Sequence, residues 1–453
     1  MTQDNPIQKA KNLVHKIQAR NAHKKYNYPT KELKIIAVTG SDGKTTTTSM
    51  IYHVLKSAGL KVAYLSTIEA RIGDEVLDTG LHVTTPDPWD VPRYLRMMVD
   101  KGIEYVVLES TSNGLQQGRL ETIEFDAATI TNIREDHLDY HGTWENYAEA
   151  KYMVIQKLKK DAPAILNGDD EKSANWLKNK LSLENPSKNV KWYQKNEVTN
   201  LVESVRGIGF EYEGMKYHIP IIGSYNLENA LAVINVCTNF ISKEEISNAL
   251  KSYSTPKGRM EIIQTEPYTI IIDFAHTPNA LENALKSVLN ILEPGSNLIS
   301  VFGCAGMRDK SRRKMGEISA KFASITVLTA EDPRDEKLKK VNNEILKHAK
   351  EADGELVDRF ADHKDFSEID YAKIKHKLEK AVEKGVKPFF AFDEDNVASR
   401  QDAIEFALRL AKEKDIVFIT GKAHEQSLAF GKKQIEYPWS DHDAVNLALK
   451  NIK

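Results

Sequence analysis

The sequence predicts an α/β protein made of a nucleotide-binding central domain with a parallel sheet and a small antiparallel hairpin region, followed by a Rossmann-like α/β domain. Three observations carry that expectation. Short apolar strands alternate with helical stretches along most of the 453 residues. A glycine-rich turn joins the first strong strand to a helix. The strand–helix alternation restarts near Arg259 after a stretch of different character. A chain of this length exceeds one ordinary core, so two or three domains are expected.

The elements follow in order. Lys34–Thr39 (KIIAVT) is a buried strand, and a helix runs from Thr45 to about Gly59. Val62–Ser66, Tyr105–Glu109 (YVVLE), Ala127–Thr131 (AATIT) and Ala164–Leu166 are further short strands. Between residues 188 and 220, KWYQ, GIGFEYEG and MKYHIPI alternate apolar and polar residues around glycines, which predicts antiparallel hairpins. Ile221–Phe240 reads as a buried helix. Thr269–Phe274, Leu298–Phe302, Ile325–Thr329 and Ile416–Thr420 are the strands of the later unit, and the charged segment 363–386 is a solvated helical face. The expected domains are a helical extension over 1–33, a central domain over 34–258 and a C-terminal domain over 259–453.

Composition excludes several classes. Hydrophobic residues at 41% and charged residues at 28% describe a globular chain rather than a disordered one. A formal net charge of -2 provides no overall basic field for nucleic acid. Two cysteines, Cys237 and Cys304, both in apolar surroundings, cannot build a disulfide framework and point to a reducing cytoplasm. No run approaches the roughly 20 apolar residues of a membrane span. The basic N-terminus lacks the apolar core of a signal peptide. Its Ile7, Ala10, Leu13, Val14 and Ile17 fall on one helix stripe, expected to pack on the neighbouring domain.

The segment Gly40-Ser41-Asp42-Gly43-Lys44-Thr45-Thr46 follows a strand and opens a helix, the context a phosphate loop needs. Glycines let backbone N–H groups approach phosphates, Lys44 reaches the β- and γ-phosphates, and the Thr45 hydroxyl suits a magnesium ion. The loop is a short variant, with Val38 where the common form has its first glycine. Glu109 ends a strand expected beside the loop strand, where carboxylates often hold magnesium. His137, flanked by acids after the strand AATIT, is a candidate ligand or substrate contact. By itself the loop leaves a GTPase switch, a kinase and a ligase open.

The segments TGSDGKTTTT, TTPD, ESTSNGL, TNIREDHLDYHGTWENYAEAK, GSYNLENA, GRME, DFAHTPNAL, FGCAGMRDKSRR and GKAHE occur in an order that resembles the Mur ligases, within them the UDP-N-acetylmuramoyl-tripeptide synthetase branch, over about residues 34–453. The resemblance implies that Lys44 and Thr45 hold the ATP phosphates and one Mg2+, that Glu109 ligates that ion, and that His137 ligates a second. Lys151 matches a lysine carbamylated in this family, which converts an ammonium unfit to bind a cation into a carboxylate. Asn226 and Asn229 match an adenine-contacting segment, Arg259 an arginine at the hinge between domains, and Asp273, with His276, a ribose-binding segment. Thr84, Thr85 and Pro86, with Ser110, Ser112 and Arg119, match segments that contact the carboxylate donor. Asn113 stands where the family usually has histidine.

The implied reaction is attack of a carboxylate on the γ-phosphate, then attack of an amine on the acyl phosphate, with domain closure near Arg259 excluding water. Arg308, Asp332, Arg334, Gly421 and Glu425 match residues around the added amino acid. The segment Glu331-Asp332-Pro333-Arg334 departs from the D-N-P-R of diaminopimelate-adding members, which leaves lysine or another diamino acid open. About 33 residues precede the first strand, too few for the uridine-binding domain of full-length members, so a partner protein is one expected way to hold the donor. The expected function is ligation of an amino acid to a peptidoglycan precursor. The alternatives are the same chemistry on another carboxylate, such as a polyglutamate-like or other cell-wall peptide, or a non-catalytic nucleotide-binding protein.

Overall fold

The structure, a computed structural model, describes residues 5–66, 70–72, 75–77, 87–204, 206–307 and 310–452. The chain divides into two compact units. The first comprises Met1–Val202, Arg206–Pro220 and Ser224–Ser254; the second is mainly Thr255–Lys453.

The first unit is built on β1 (Lys34–Thr39), β2 (Val62–Leu65), β3 (Ala70–Ile72), β4 (Glu75–Leu77), β5 (Tyr105–Glu109), β6 (Ala127–Ile130), β7 (Ala164–Asn167) and β8 (Val190–Tyr193). They form one sheet in the order β4-β3-β2-β5-β1-β6-β7-β8. From β2 to β8 every neighbouring pair is parallel; β3 and β4 add an antiparallel edge. The apolar runs have no polar alternation because helices cover both faces of a parallel sheet. Ile35, Ala37, Val106, Leu108, Ala128 and Ile130 are all buried in one core. Register sets Val38 opposite Glu109 on one side and Thr129 on the other, so three strand ends meet at one edge.

The segment KWYQ, expected in a hairpin, instead forms β8 and pairs in parallel with β7. The reason is its edge position. Val190, Lys191 and Trp192 are only partly buried and Tyr193 alone is fully buried, so the strand carries a polar residue among apolar ones instead of a continuous apolar run. Antiparallel structure follows in β9 (Thr199–Ser204), β10 (Gly207–Tyr212) and β11 (Met215–Ile219). The β10–β11 turn is Glu213-Gly214, both at positive φ (46° and 76°), as a two-residue hairpin requires.

The N-terminal helix Pro6–Lys25 forms where expected. It is capped by the Asn5 side chain, has Pro6 in its first turn and three basic residues in its last. Its packing reverses the expectation. Ile7 (59% exposed), Leu13 (60%), Val14 (50%) and Ile17 (50%) face outward. Gln8, Asn12, Ala19, Ala22 and His23 are buried instead. Small side chains allow a close approach of the helix backbone, and Lys16 and Arg20 anchor it to Glu121.

The second unit contains β12 (Glu261–Gln264), β13 (Thr269–Asp273), β14 (Leu298–Phe302), β15 (Ile325–Leu328), β16 (Gly354–Phe360), β17 (Lys387–Phe392) and β18 (Ile416–Thr420), in the order β12-β13-β18-β14-β15-β17-β16. Only β12 runs antiparallel. A small antiparallel pair follows, β19 (Ser427–Phe430) and β20 (Ile435–Pro438). The segment 363–386 resolves into helices His363–Ser367 and Tyr371–Glu383, whose only buried residues are Phe366, Ile374 and Ala381. Among the described residues no helix is long and apolar enough to cross a membrane.

A fully buried ion pair ties this unit together. Arg400 donates to Asp441 through Nε (2.7 Å) and Nη2 (2.8 Å), and to the carbonyls of Ala330 (3.0 Å) and Thr420 (2.9 Å). Asp441 also accepts from the Ala423 amide (2.9 Å) and Trp439 Nε1 (2.8 Å). Burial opposes ionisation of Asp441, but Arg400 and these donors hold its pKa below the ordinary value. Removing one partner strands the other charge in the core. Asp441→Ala is expected to cost about 3–5 kcal/mol of this unit's stability in chemical denaturation at neutral pH. Because the folded pKa is depressed, the pair's contribution is present above the unfolded carboxylate pKa and is lost as pH falls through the folded one. The wild-type-minus-variant difference should therefore shrink below about pH 4.

Candidate functional site

The loop between β1 and the helix Lys44–Ser57 is held from three directions. Asn132, just beyond β6, accepts the Ser41 amide (3.1 Å) and the Asp42 amide (2.9 Å) on one carbonyl oxygen. Thr131 Oγ1 donates to the Asp42 carbonyl (2.6 Å). Ser41 Oγ lies 3.0 Å from the Tyr147 hydroxyl and accepts the Arg134 amide (2.9 Å). Glycine is required where these neighbours come closest. A Cβ on Gly40 would sit 1.8 Å from Thr131 Oγ1. Gly43 has φ +80°, and a Cβ there would sit 2.2 Å from Asn229 Oδ1.

Asn229 and Asn226 are both buried in the helix Tyr225–Cys237. Asn229 accepts from Thr47 Oγ1 (3.3 Å) and donates to Asn226 Oδ1 (2.9 Å), so this pair braces the loop helix from behind. Thr46 is buried in the same helix.

Lys44 donates to the carbonyls of Gly40 (2.9 Å) and Ser41 (2.8 Å). Lys151, from the helix Trp144–Gln156, donates to the same Gly40 carbonyl (2.6 Å) and is 1% exposed. Burial, reinforced by the Lys44 charge, pushes the Lys151 amine well below the usual lysine range. The Lys151 amine also lies over the Tyr147 ring at 4.4 Å. A neutral amine is the nucleophilic form, the one able to take up carbon dioxide.

Thr45 donates to Glu109 Oε2 (3.1 Å) at the end of β5. A hydroxyl and a buried carboxylate side by side at the head of a helix are a donor set for a hard divalent cation. His137 is placed differently. It is half exposed, sits at φ 52°, and lies 3.5 Å from Asp136 and 6.2 Å from the Tyr147 ring centre. Among the described residues no group of three His, Cys, Asp or Glu side chains is placed to hold a metal. The Thr45 hydroxyl and the Glu109 carboxylate fit one divalent cation.

Beyond β5, Ser110 and Ser112 are buried. Ser112 Oγ is 3.1 Å from His141 Nε2, a fully buried histidine that sequence reading passed over. Arg119 is partly buried, and burial lowers its pKa against the charge of Asp87. Thr84, Thr85, Pro86 and Arg308 lie outside the described residues.

In the second unit, Asp273 ends β13 and accepts the Met260 and Ala275 amides (2.8 Å each). The Arg259 guanidinium lies 4.7 Å over the Phe274 ring, whose other contacts are His276 (4.6 Å) and His424 (4.7 Å). Burial and the Arg259 charge lower His424 to about 3, so it is neutral.

The carboxyl ends of β15 and β18 carry a separate charged cluster. Asp332, at φ 44°, accepts from Lys422 Nζ (2.9 Å) and the Ala429 amide (3.0 Å). Lys422, 1% exposed, also pairs with Glu425. Arg334 donates to the Gly306 carbonyl (3.0 Å), with Asp332 at 3.5 Å. Glu331 Oε2 is buried without a hydrogen-bond partner, and burial pushes its pKa up to about 7 despite Lys422. Gly421 leaves room for it: a Cβ there would be 3.0 Å from Glu331 Cγ. Sequence reading named Asp332, Arg334, Gly421 and Glu425 but missed Glu331 and Lys422, although both lie inside quoted motifs.

A phosphate loop on one parallel sheet, followed by a second α/β unit with its own charged edge, is the layout of a nucleotide-dependent group-transfer enzyme. The sequence matches the Mur ligase middle domain over residues 38–237 and the Mur ligase glutamate ligase domain over 258–423. It is 32% identical over 436 residues to UDP-N-acetylmuramoyl-L-alanyl-D-glutamate–2,6-diaminopimelate ligase 1 of Clostridium acetobutylicum, covering 94% of this chain and 80% of that one. It is 31% identical over 444 residues to the corresponding ligase of Aquifex aeolicus, covering 96% and 81%. A solved structure of a UDP-N-acetylmuramoyl-L-alanyl-D-glutamate–2,6-diaminopimelate ligase superposes with TM-score 0.64 at 25% identity, over 96% of this chain and 83% of that one. The same fold, at 15% identity and TM-score 0.64, occurs in folylpolyglutamate synthase of Mycobacterium tuberculosis solved with ADP and AMPPCP. The chain belongs to the Mur ligase family, and it is an enzyme, a ligase.

The tight approach at Gly43 makes a direct prediction. Gly43→Ala should remove nucleotide binding, read by calorimetry with ADP, while leaving far-ultraviolet circular dichroism unchanged. Tight binding by the variant would show that the loop geometry is not needed.

Proposed function

We propose that this protein joins an amino acid to a UDP-N-acetylmuramoyl-dipeptide-like carboxylate, using ATP and Mg2+ in the cytoplasm. The observation that carries the reading is that Lys44 and Lys151 converge on the Gly40 carbonyl of the loop whose helix also sets Thr45 against Glu109. The names of the relatives support the donor and reaction class.

The chemistry assigned to each group follows from its position. With the Ser41 and Asp42 amides held by Asn132, the amides at the helix N-terminus are the ones assigned to neutralise phosphate charge. Lys44 leaves the Gly40 and Ser41 carbonyls to meet the γ-phosphate. Thr45 and Glu109 would hold the Mg2+, which supplies charge neutralisation on the phosphates when bound. Ser110, Ser112 and Arg119 line the approach of the donor carboxylate, with His141 fixing the Ser112 hydroxyl. Attack by that carboxylate on the γ-phosphate gives an acyl phosphate and ADP; attack by the acceptor amine on the acyl carbon releases phosphate. The enzyme's part is chiefly orientation and electrostatics. Arg259, Asp273 and His276 are assigned to the nucleoside.

The acceptor is assigned to the second unit. Arg334 suits its carboxylate. Asp332 and Glu425 are both engaged by Lys422, and Asp332 also by the Ala429 amide, so their proposed role is to hold Lys422 and shape the loop, leaving Glu331 as the acid that faces an ammonium. An amino acid with both charges fits, including the diaminopimelate named in the relatives.

The test is phosphate release from ATP with UDP-N-acetylmuramoyl-dipeptide and a panel of amino acids, with mass spectrometry of the products. A product heavier by one amino-acid residue is expected; turnover without any such product would overturn the donor assignment. Arg334→Ala should raise the acceptor KM by about 10- to 100-fold, the range for loss of a charge-assisted hydrogen bond, without changing ADP affinity. Lys151→Ala should lose turnover and regain part of it with added short carboxylic acids; unchanged turnover would remove Lys151 from the mechanism.

A further inference from the structure

The N-terminal helix Pro6–Lys25 is amphipathic in the wrong sense for a helix that only packs on its own domain. On an α-helical wheel, Leu13, Ile17, Ala10, Val14 and Ile7 fall in an arc of about 120°. All five are exposed, whereas the face turned to the protein is Gln8, Asn12, Ala19, Ala22 and His23. Leaving four large aliphatic side chains in water while burying polar ones is unfavourable unless something else covers the stripe.

The charge pattern says what that is. From Asn5 to Lys31 the chain has no Asp or Glu, but it has Lys9, Lys11, Lys16, Arg20, Lys24, Lys25 and Lys31, in a chain whose net charge is -2. Lys16 and Arg20 are paired with Glu121. Lys9 and Lys11 border the stripe on its two sides, and Lys24 and Lys25 stand exposed at its C-terminal end. A second copy of this chain would bring one lysine-rich face against another, which like charge disfavours. A protein partner is also a poor fit, because protein interfaces are depleted in lysine. Long lysine stems beside an aliphatic stripe suit an anionic lipid surface, where the stems lie along the acyl boundary and the ammonium groups reach the headgroups.

We propose that this helix is a reversible membrane-surface anchor that lays Ile7, Ala10, Leu13, Val14 and Ile17 into the headgroup boundary of an anionic bilayer. Docked this way, the ligase would work beside a membrane without spanning it. The anchor does not depend on which donor or acceptor the enzyme uses.

Flotation of the full chain with vesicles tests it, using phosphatidylcholine alone and phosphatidylcholine mixed with phosphatidylglycerol. The expected result is binding to the anionic vesicles about tenfold or more above the neutral ones, falling as salt is raised. Leu13→Gln/Ile17→Gln and, separately, Lys11→Glu/Lys24→Glu should each weaken that binding about tenfold, with melting temperature unchanged. The charge variant alters only exposed side chains, so the test stands even if the apolar variant fails to fold. The proposal is overturned if the wild-type chain stays unbound at every phosphatidylglycerol fraction, or if the charge variant floats as well as wild type. It is equally overturned if sedimentation shows a dimer that the charge variant stabilises, or if only an acidic protein is retained.

Discussion

The structure of the first unit depends on how tightly the backbone of one loop is gripped. Asn132 takes two successive amides, Thr131 takes the Asp42 carbonyl, and Asn229 presses against Gly43 from a helix far along the chain. None of these contacts is possible unless β1 and β6 are parallel neighbours and the helix Tyr225–Cys237 packs against the loop helix. The sheet order and that packing follow from buried aliphatic runs. Hydrophobic burial thus sets the position of the loop backbone and of the helix N-terminus that follows it.

Charge is handled differently in the two units. Around Gly40 two lysines share one carbonyl, and burial together with the Lys44 charge drives the pKa of the more buried one well down. At the edge of the second sheet the opposite occurs: Lys422 is satisfied by two acids, and Glu331 is left in the protein without a partner. The Arg400–Asp441 pair is of another kind. It is saturated with hydrogen bonds and serves to join two helices to two strand ends, with nothing left to offer a ligand.

Much of this was legible in the sequence. The strands Lys34–Thr39, Tyr105–Glu109, Leu298–Phe302 and Ile416–Thr420 are buried on both faces and read as continuous apolar runs, and each occupies the residues expected. The edge strand Val190–Tyr193 reads as part of a hairpin because its partial burial admits Lys191 into an otherwise apolar run. Gly354–Phe360, with its Asp358 and Arg359, lacks an apolar run because it too is an edge. The helix Pro6–Lys25 was visible but its orientation was not, since periodicity shows that a stripe exists and says nothing of what covers it. Of the site, the glycines, Lys44, Thr45 and Glu109 carry their own signal in the strand–loop–helix context. Lys151 and Arg334 do not; an isolated lysine or arginine on a helix or loop reads as surface, and only the ordered motifs singled them out. Asn132, His141, Glu331 and Lys422 act through neighbours distant in sequence, and no local pattern reports that.

The central claim, that the donor carboxylate is activated as an acyl phosphate at the gripped loop, is tested most directly by trapping. The protein would be incubated with ATP, Mg2+ and UDP-N-acetylmuramoyl-dipeptide, without amino acid, in the presence of hydroxylamine. The account predicts the hydroxamate of the donor together with ADP. Formation of AMP and pyrophosphate, or of ADP with no hydroxamate while the same preparation ligates an amino acid, would contradict it.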